Sequence, residues 1–444
     1  MKTKHLLAIG TLALLGTEGA FSQTVIRIVA SNGDRTATQT AISNILASGW
    51  TFRGINGNAT SANLSVATGA NFGAWNGTYA GNAVVIKVSY SGALAGIAAI
   101  SGNTDQRFVV TNGTGSGSVP NPLTGTTLGT DYEVGKADFG FSTNFQATSP
   151  FNGLYQGVNY SPIVEETVGV SPLGFYASPG FPAGGANITT QLAQLLYTNG
   201  SVPLALFTGD FANDVNKIVY AIGRNTDAGQ RFGAYTEVGL GTTTAVRVWK
   251  PTFSTAQTTN GSYIYGGVVG TQELWPAETV SGIFSPLGSG GFSSGALVAQ
   301  HLTVTLGPNA YKGRYFDEDT ETFQFANPNA TAGYYVGYVT HGDGNTRILG
   351  QGAGSVIPAG NRGVALSYNG VSLTDSNVQN GKYTAWLYNR ILKPTSGLTG
   401  TKLTFANALR DRLKNFDADT GGGLFDDSTF KVRRTTDGGL VVPK

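Results

Sequence analysis

The sequence contains no cysteine, one methionine and only three histidines in 444 residues. Without cysteine the chain can form neither a disulfide nor a thiolate nucleophile, and it cannot build a cysteine-based zinc site. Two histidines, His301 and His341, lie beyond the first 22 residues, and no Gly-x-Ser-x-Gly motif accompanies either of them. A Ser-His-Asp triad is therefore not indicated. We expect no enzymatic activity, no metal site and no cofactor.

Charged residues are also scarce, at 12% of the chain, and the formal net charge is +2. A nucleic-acid-binding surface needs a concentration of lysine and arginine that this composition does not show. We therefore expect no nucleic-acid partner. The composition does contain 40% hydrophobic residues and 64 glycines, which is enough apolar material for a packed core together with many turns and loops.

The N-terminus has the pattern of a secretory signal peptide. Lys2 and Lys4 precede an apolar run over Leu6–Leu15, and small residues at Ala20 and Ser22 form a cleavage site. The apolar run is too short for a transmembrane anchor, which needs about 20 residues. We expect cleavage after Ser22 and a monomeric mature chain, periplasmic or secreted, that does not insert into a membrane.

Strand-like and helix-like segments alternate in the first third of the mature chain. β-branched runs at Val25–Val29 and Val84–Val88 are each followed by a turn and by apolar residues at helical spacing, over 37–46 and 93–100. The segment Ala137–Asn144 resembles a further strand that ends in small polar residues. This alternation favours an α/β fold with a mainly parallel sheet, in which ligands bind beyond the carboxyl ends of the strands.

Glycine, threonine, serine and asparagine dominate residues 110–130, which we interpret as a tolerated surface insertion. The later segments with a clear pattern are an extended run over 165–180, a helix that ends at Gly200, extended runs over 331–343 and 362–371, a strand-like run within 379–392 and a helix over 402–413.

The segment Tyr220–Gly239 is predicted to form a strand, a polar loop and a helix. Asp227 followed three residues later by Gln230 is a capping-box-like pair that would satisfy free backbone N–H groups. A helix N-terminus beside Arg224 would equally suit an oxyanion, because it offers N–H donors and a bidentate fork. The segment alone does not decide between these two roles.

Several segments in this order resemble the type II periplasmic solute-binding proteins, in particular the phosphate-binding subunit of bacterial ABC importers. VASNGD resembles that family's first anion loop, SYSGALAG its small-residue loop before the second helix, and ADFGFST its phenylalanine-glycine-alanine-serine-aspartate segment. GRNTDAGQRF lies where the family has an arginine loop, and GYYVGYV and NGKYTAWLYNRIL resemble its returning strands. The likeness runs from about Val25 to Leu413 and is interrupted by glycine-rich insertions.

The resemblance implies a two-lobed α/β fold with Gly/Thr-rich insertions and a ligand cleft between the lobes. The first lobe would comprise residues 23–165 and 366–444, and the second lobe residues 166–365. The implied function is an extracytoplasmic receptor that captures an oxyanion, above all inorganic phosphate, and delivers it to an ABC permease. The ligand-binding residues implied by the matching loops are Ser31, Asn32, Ser91, Gly92, Ser142, Thr143, Arg224, Asp227, Ala228, Gly229 and Gln230.

The chain departs from the family pattern in its anion loops. Thr143 replaces the aspartate that accepts a proton from hydrogen phosphate, and Ala228 and Gln230 replace residues with hydroxyl groups. Asp227 adds a negative charge that would either repel the anion or take over the role of proton acceptor. These differences leave a second interpretation open, namely a cell-surface or matrix protein on the same fold without tight ligand binding.

Overall fold

The computed structural model describes residues 23–242, 244–280, 282–352, 355–417 and 424–444. The predicted signal peptide, residues 1–22, lies outside this part of the chain. Within these ranges, no helix combines the length and the apolar character that crossing a bilayer requires.

The described chain forms short helices and many strands. The α-helices are α1 (Arg35–Ile45), α2 (Leu64–Gly69), α3 (Ala93–Ser101), α4 (Thr190–Asn199), α5 (Ala205–Thr208), α6 (Phe211–Asp214), α7 (Gly229–Glu237), α8 (Gly295–His301), α9 (His341–Asp343), α10 (Asp375–Gln379) and α11 (Gly400–Arg412). The strands are β1 (Thr24–Val29), β2 (Thr51–Gly54), β3 (Gly57–Ala59), β4 (Phe72–Tyr79), β5 (Asn82–Ser89), β6 (Asp105–Phe108), β7 (Glu133–Lys136), β8 (Phe139–Ser142), β9 (Gly153–Tyr155), β10 (Val158–Tyr160), β11 (Ile163–Ala177), β12 (Asn187–Ile188), β13 (Ser201–Pro203), β14 (Lys217–Ala221), β15 (Trp249–Thr255), β16 (Thr258–Asn260), β17 (Tyr263–Tyr265), β18 (Val268–Leu274), β19 (Glu278–Val280), β20 (Ile283–Ser285), β21 (Thr305–Leu306), β22 (Arg314–Asp317), β23 (Thr322–Phe325), β24 (Ala332–Thr340), β25 (Val364–Tyr368), β26 (Trp386–Pro394), β27 (Val432–Arg433) and β28 (Val442–Pro443).

One 13-stranded sheet spans both lobes, in the strand order β13-β14-β24-β11-β26-β8-β1-β5-β4-β2-β3, and β25 pairs with β11 and β12 beside this path. Strand β1 pairs parallel with β5 and β8, as the strand and helix alternation predicts. The sheet is mixed, however, because β4 pairs antiparallel with β5, and β26 pairs antiparallel with β8 and β11. The α/β fold class is confirmed, and the expectation of a mainly parallel sheet is wrong.

Two strands, β11 and β26, belong to both lobes. The first core packs β1, β5, α1 and α11 around residues that include Val168 of β11 and Ile391 of β26. The second core packs α4, α7, β14 and β24 around residues that include Phe175 of β11 and Leu387 of β26. Two separate cores joined by two continuous strands give a two-lobed molecule with a cleft between the lobes, which is the architecture that the resemblance implies.

The glycine-rich segment lies at the surface, and residues at and after 365 contribute to the second lobe. Residues 110–130 contain no helix or strand and lie on the surface as a loop, as predicted. Strand β25 pairs with the C-terminal part of β11 in the second lobe, and Phe430 near the C-terminus belongs to the second core. The boundaries proposed at 165 and 365 stay predictions.

The second lobe carries an additional sheet between α7 and β24. Strands β15, β18, β22 and β23 form its path, and β21 pairs with β18. Trp249 at the start of β15 is buried against Tyr220 of the large sheet, with ring centroids 5.1 Å apart. Trp275 directly follows β18, and its backbone N–H donates to the carbonyl oxygen of Val248 at 3.0 Å.

Candidate functional site

The first predicted anion loop joins β1 to α1. Ser31 is 5% exposed, and its hydroxyl accepts a hydrogen bond from the backbone N–H of Gly33 at 3.0 Å, which starts a short 3-10 turn. Asn32 follows in that turn, and Arg35 is the first residue of α1. The local conformation thus brings Asn32 and Arg35 to the edge of the cleft while Ser31 stays buried.

The other predicted loops touch each other directly across the cleft. Gly92, at φ 145°, packs so closely on Asp227 that a Cβ at that position would lie 3.0 Å from the Asp227 carbonyl oxygen. The backbone N–H of Leu94 donates to that same oxygen at 3.5 Å. A Cβ at Gly229 would lie 1.8 Å from Oγ1 of Thr143. These loops therefore form a direct contact between the two lobes.

The remaining residues of these loops have structural partners. The Ser142 hydroxyl accepts a hydrogen bond from the backbone N–H of Asn144 at 3.1 Å. Ala228 is the N-cap residue of α7, and this cap has no side-chain hydrogen bond. The predicted capping box of Asp227 and Gln230 is therefore wrong. Asp227 lies one residue before the cap and is fully buried, because its backbone packs on the opposite lobe.

Arg224 is buried, and its side chain donates to acceptors of its own lobe. Its Nε donates to the carbonyl oxygen of Phe292 at 3.1 Å, and its Nη1 donates to Oε1 of Gln230 at 2.8 Å. Its Nη2 donates to the carbonyl oxygen of Ser293 at 3.2 Å. Burial lowers the pKa of Arg224 to about 10, which leaves the guanidinium charged at neutral pH. The predicted anion clamp thus also holds the Phe292–Ser293 loop in place.

A cavity of about 370 Å³ lies beside this contact, between the two lobes. Three of the predicted ligand residues line it, namely Asn32, Arg224 and Gln230. Ser91 lines an adjoining cavity, and the other predicted residues line neither of the two. The further side chains around the 370 Å³ cavity are almost all polar: Arg35, Thr36, Asn71, Ser171, Ser294, Thr340, Asp343, Thr346 and Arg347.

Asp343 is the electrostatic centre of this cavity. Its Oδ1 lies 3.2 Å from Nε of Arg347, and the two side chains are 26% and 25% exposed. Burial raises the pKa of the Asp343 carboxyl above its usual range, whereas Arg347, Arg224 and Arg35 act in the opposite direction. Three guanidinium groups and one carboxyl group thus act on one another at a single polar cavity, where positive charge exceeds negative.

Arg35 reaches this group from the first lobe. Its Nε donates to the carbonyl oxygen of Thr68 at 3.0 Å, and its Nη1 donates to the side chain of Asn71. Burial lowers its pKa, Tyr90 and Asp343 raise it, and Arg347 lowers it. The two N–H donors fix the guanidinium beside the cleft and leave its Nη2 without a protein acceptor among the described residues.

Sequence reasoning missed Arg35, Asp343 and Arg347. Arg35 immediately follows the VASNGD loop. Asp343 is the last residue of the strand predicted over 331–343, and Arg347 follows four residues later, in the stretch THGDGNTR. The rule that ligands bind beyond the carboxyl ends of strands would have pointed to both places. What the sequence does not show is that the π-helical turn Gly344–Ile348 brings Arg347 to face the first lobe.

Comparisons of the sequence with protein-family models and with curated proteins find no match. Among solved structures, the chain is similar to an ABC-type phosphate transport receptor from Vibrio cholerae, with 10% identity and a TM-score of 0.44 over 90% of this chain and 99% of that chain. It is also similar to a putative phosphate ABC transporter substrate-binding protein with bound phosphate from Clostridium perfringens, with 12% identity and a TM-score of 0.38 over 91% and 99%. A third is a possible phosphate binding protein from Planctomyces limnophilus, with 11% identity and a TM-score of 0.38 over 89% and 90%.

All three are described as phosphate receptors or phosphate-binding proteins, which is the class that the sequence motifs resemble. At these identities and TM-scores the likeness carries no ligand across to this chain. The ligand class must therefore be inferred from the residues of the cleft itself.

Proposed function

We propose that the protein is an extracytoplasmic solute-binding protein that captures an oxyanion between its two lobes. The observation that supports this most strongly is the position of Arg35 from the first lobe and of Arg224 and Arg347 from the second lobe around one cavity. Guanidinium groups present planar pairs of donors that match the oxygens of phosphate and carboxylate groups. Because each lobe contributes a cation, a bound anion would hold the two lobes together.

We propose that Asp343 determines which oxyanions the cavity binds. A carboxylate beside the site repels a fully deprotonated anion, but it accepts a hydrogen bond from an oxyanion that retains a proton. Phosphate groups retain a proton in part at neutral pH, since their second pKa is near 6 in a monoester, whereas sulfate carries none. We therefore propose a phosphate group as the ligand, with Asp343 in the role that Thr143 lacks.

Delivery of the captured anion to an ABC permease belongs to the same proposal. The ordered motifs from about Val25 to Leu413 and the predicted signal peptide support it, because a receptor of this kind works outside the inner membrane. The direct contact of Gly92 with Asp227 and of Thr143 with Gly229 favours the second candidate, a surface or matrix protein whose lobes are held together by protein contacts alone.

A thermal-shift titration of the purified protein tests the proposal. A ligand at 100 times its dissociation constant stabilises a protein by about 2.7 kcal/mol, which is readily measured. We expect phosphate and arsenate, but not sulfate, to raise the melting temperature. Arg347→Gln should abolish the rise, and Arg433→Gln, which changes an exposed arginine outside the cleft, should preserve it. No rise with any of the three anions would contradict the proposal and favour the matrix protein.

A further inference from the structure

We propose that the ligand is an organic phosphate with an apolar, ring-sized substituent, and that a second chamber beside the arginine cavity holds this substituent. This inference rests on the oxyanion-binding function proposed above and narrows its ligand class from phosphate groups in general to phosphate esters and phosphonates.

The second chamber has a volume of about 420 Å³ and adjoins the first. Asn32 and Asn71 line both cavities, so these two side chains form the boundary between them. Ser293 lines the second chamber, and the next residue, Ser294, lines the first. A ligand whose phosphate group lies among the three arginines can therefore extend past Asn32 and Asn71 into the second chamber.

The two chambers differ in chemistry. The first is surrounded almost entirely by polar and charged side chains, whereas the second combines polar side chains with four aromatic and three aliphatic ones. The aromatic side chains are Phe72, Tyr90, Trp275 and Phe292. The rings of Trp275 and Phe292 pack edge to face, with centroids 4.8 Å apart. Binding is favourable when an apolar group of the ligand replaces the water that contacts an apolar surface. Phe72, Tyr90 and Phe292 are buried, so the apolar surface open to a ligand comes from Leu123, Trp275, Val280 and Leu297. An inorganic anion would leave this surface in contact with water, and an aromatic substituent would cover it.

Part of the wall of the second chamber comes from segments outside the matching anion loops. Leu123 belongs to the glycine-rich insertion over 110–130 and is 56% exposed. Trp275 directly follows β18, and β19 pairs with β20; both lie in the segment of the second lobe between α7 and β24. Closing a ligand chamber would explain why a leucine is exposed in this polar surface loop. The insertion interpreted as a tolerated loop thus takes part in binding under this proposal.

Glu278 of β19 indicates that the substituent carries a hydrogen-bond donor. It lines the second chamber, and its Oε1 is buried without a hydrogen-bond partner among the described residues. A buried carboxylate oxygen without a partner is costly, so a donor on the ligand would be favoured there. The substituent is therefore expected to carry a hydroxyl or amino group on its apolar ring.

Isothermal titration calorimetry with inorganic phosphate, methyl phosphate, phenyl phosphate and 4-hydroxyphenyl phosphate tests the proposal. We expect phenyl phosphate to bind the purified protein at least tenfold more tightly than inorganic or methyl phosphate. The 4-hydroxyphenyl ester should bind more tightly still, and Glu278→Met should remove that additional gain.

Leu123→Asn should weaken phenyl phosphate binding at least threefold and leave inorganic phosphate unchanged. Leu128→Asn is the matched control, because Leu128 lies in the same insertion, is 63% exposed and does not line the chamber. Equal affinity for inorganic and phenyl phosphate would show that the second chamber does not bind the substituent, and it would leave the proposed function intact. Binding of none of the four compounds would overturn both. A preference for phenyl phosphate that Leu123→Asn and Leu128→Asn affect equally would also overturn the assignment.

Discussion

Replacing Asp34 by asparagine should remove a large share of the pH dependence of stability. Asp34 is 1% exposed, and its Oδ1 accepts a hydrogen bond from the side chain of Asn389. Its Oδ2 is buried without a hydrogen-bond partner among the described residues. Burial raises the pKa of this carboxyl from 3.8 to about 7, and the bond from Asn389 lowers it only in part. Asparagine has nearly the shape of the protonated aspartic acid and keeps the acceptor for Asn389.

The sign and size of the effect follow from proton linkage. Between pH 3.8 and about 7 the unfolded chain has lost the Asp34 proton and the folded chain retains it, so the free energy of unfolding falls as pH rises. Each pH unit costs about 1.4 kcal/mol for one proton, so a window of about three units amounts to about 4 kcal/mol. Below the window the two proteins should be equally stable, and above pH 7 Asp34→Asn should be more stable by that amount.

Urea unfolding of both proteins at half-unit steps from pH 4 to pH 8.5 measures this difference. Burial also raises the pKa of Asp343, Asp437 and Glu165, but these groups are present in both proteins and cancel in the difference. Asp319→Asn, at an exposed position, is the control and should follow the wild-type curve. Parallel curves for the wild type and Asp34→Asn would show that folding does not raise the pKa of Asp34.

Two further substitutions test the contacts that shape the cleft. Arg224→Met should destabilise the protein by about 1–3 kcal/mol in urea unfolding, because it leaves the buried acceptors on Phe292 and Gln230 without their donor; unchanged stability would mean that these hydrogen bonds contribute little. Gly229→Ala should cost about 1–3 kcal/mol and increase the radius of gyration in small-angle X-ray scattering, because its Cβ would collide with Thr143 across the lobes. Gly360→Ala is the control, since a Cβ there has no atom within 4 Å, and equal behaviour of the two alanine variants would contradict the interlobe contact.

Much of the fold was accessible from local patterns. The β-branched runs before Ser31 and Ser91 form β1 and β5, and the helix predicted to end at Gly200 is α4, because glycine there takes the left-handed conformation at φ 81°. The expectation of a mainly parallel sheet was wrong because the hairpins at the edge of the first lobe and the two crossing strands run antiparallel to their neighbours. The sequence of a single strand does not indicate whether its neighbour runs parallel or antiparallel to it.

The site was only partly accessible, because its geometry depends on how the two lobes meet. Arg224 was identified from its loop, but the acceptors that hold it, Phe292 and Ser293, are about 70 residues away in sequence. The capping box failed for a similar reason: Asp227 is fixed by contact with Gly92 of the other lobe, and Ala228 caps α7 instead. Local sequence patterns carry no information on such contacts between distant segments.

The most direct test of the central claim is a crystal structure of the protein grown with arsenate, in which anomalous scattering locates the arsenic atom. We expect an anomalous peak in the polar cavity, within hydrogen-bonding reach of Arg35, Arg347 and Asp343. A peak at the contact of Gly92 and Gly229 with the opposite lobe would instead place the anion in the loops that the sequence alone indicates. A crystal saturated with arsenate and without a peak in the cleft would show that the cleft does not bind this oxyanion.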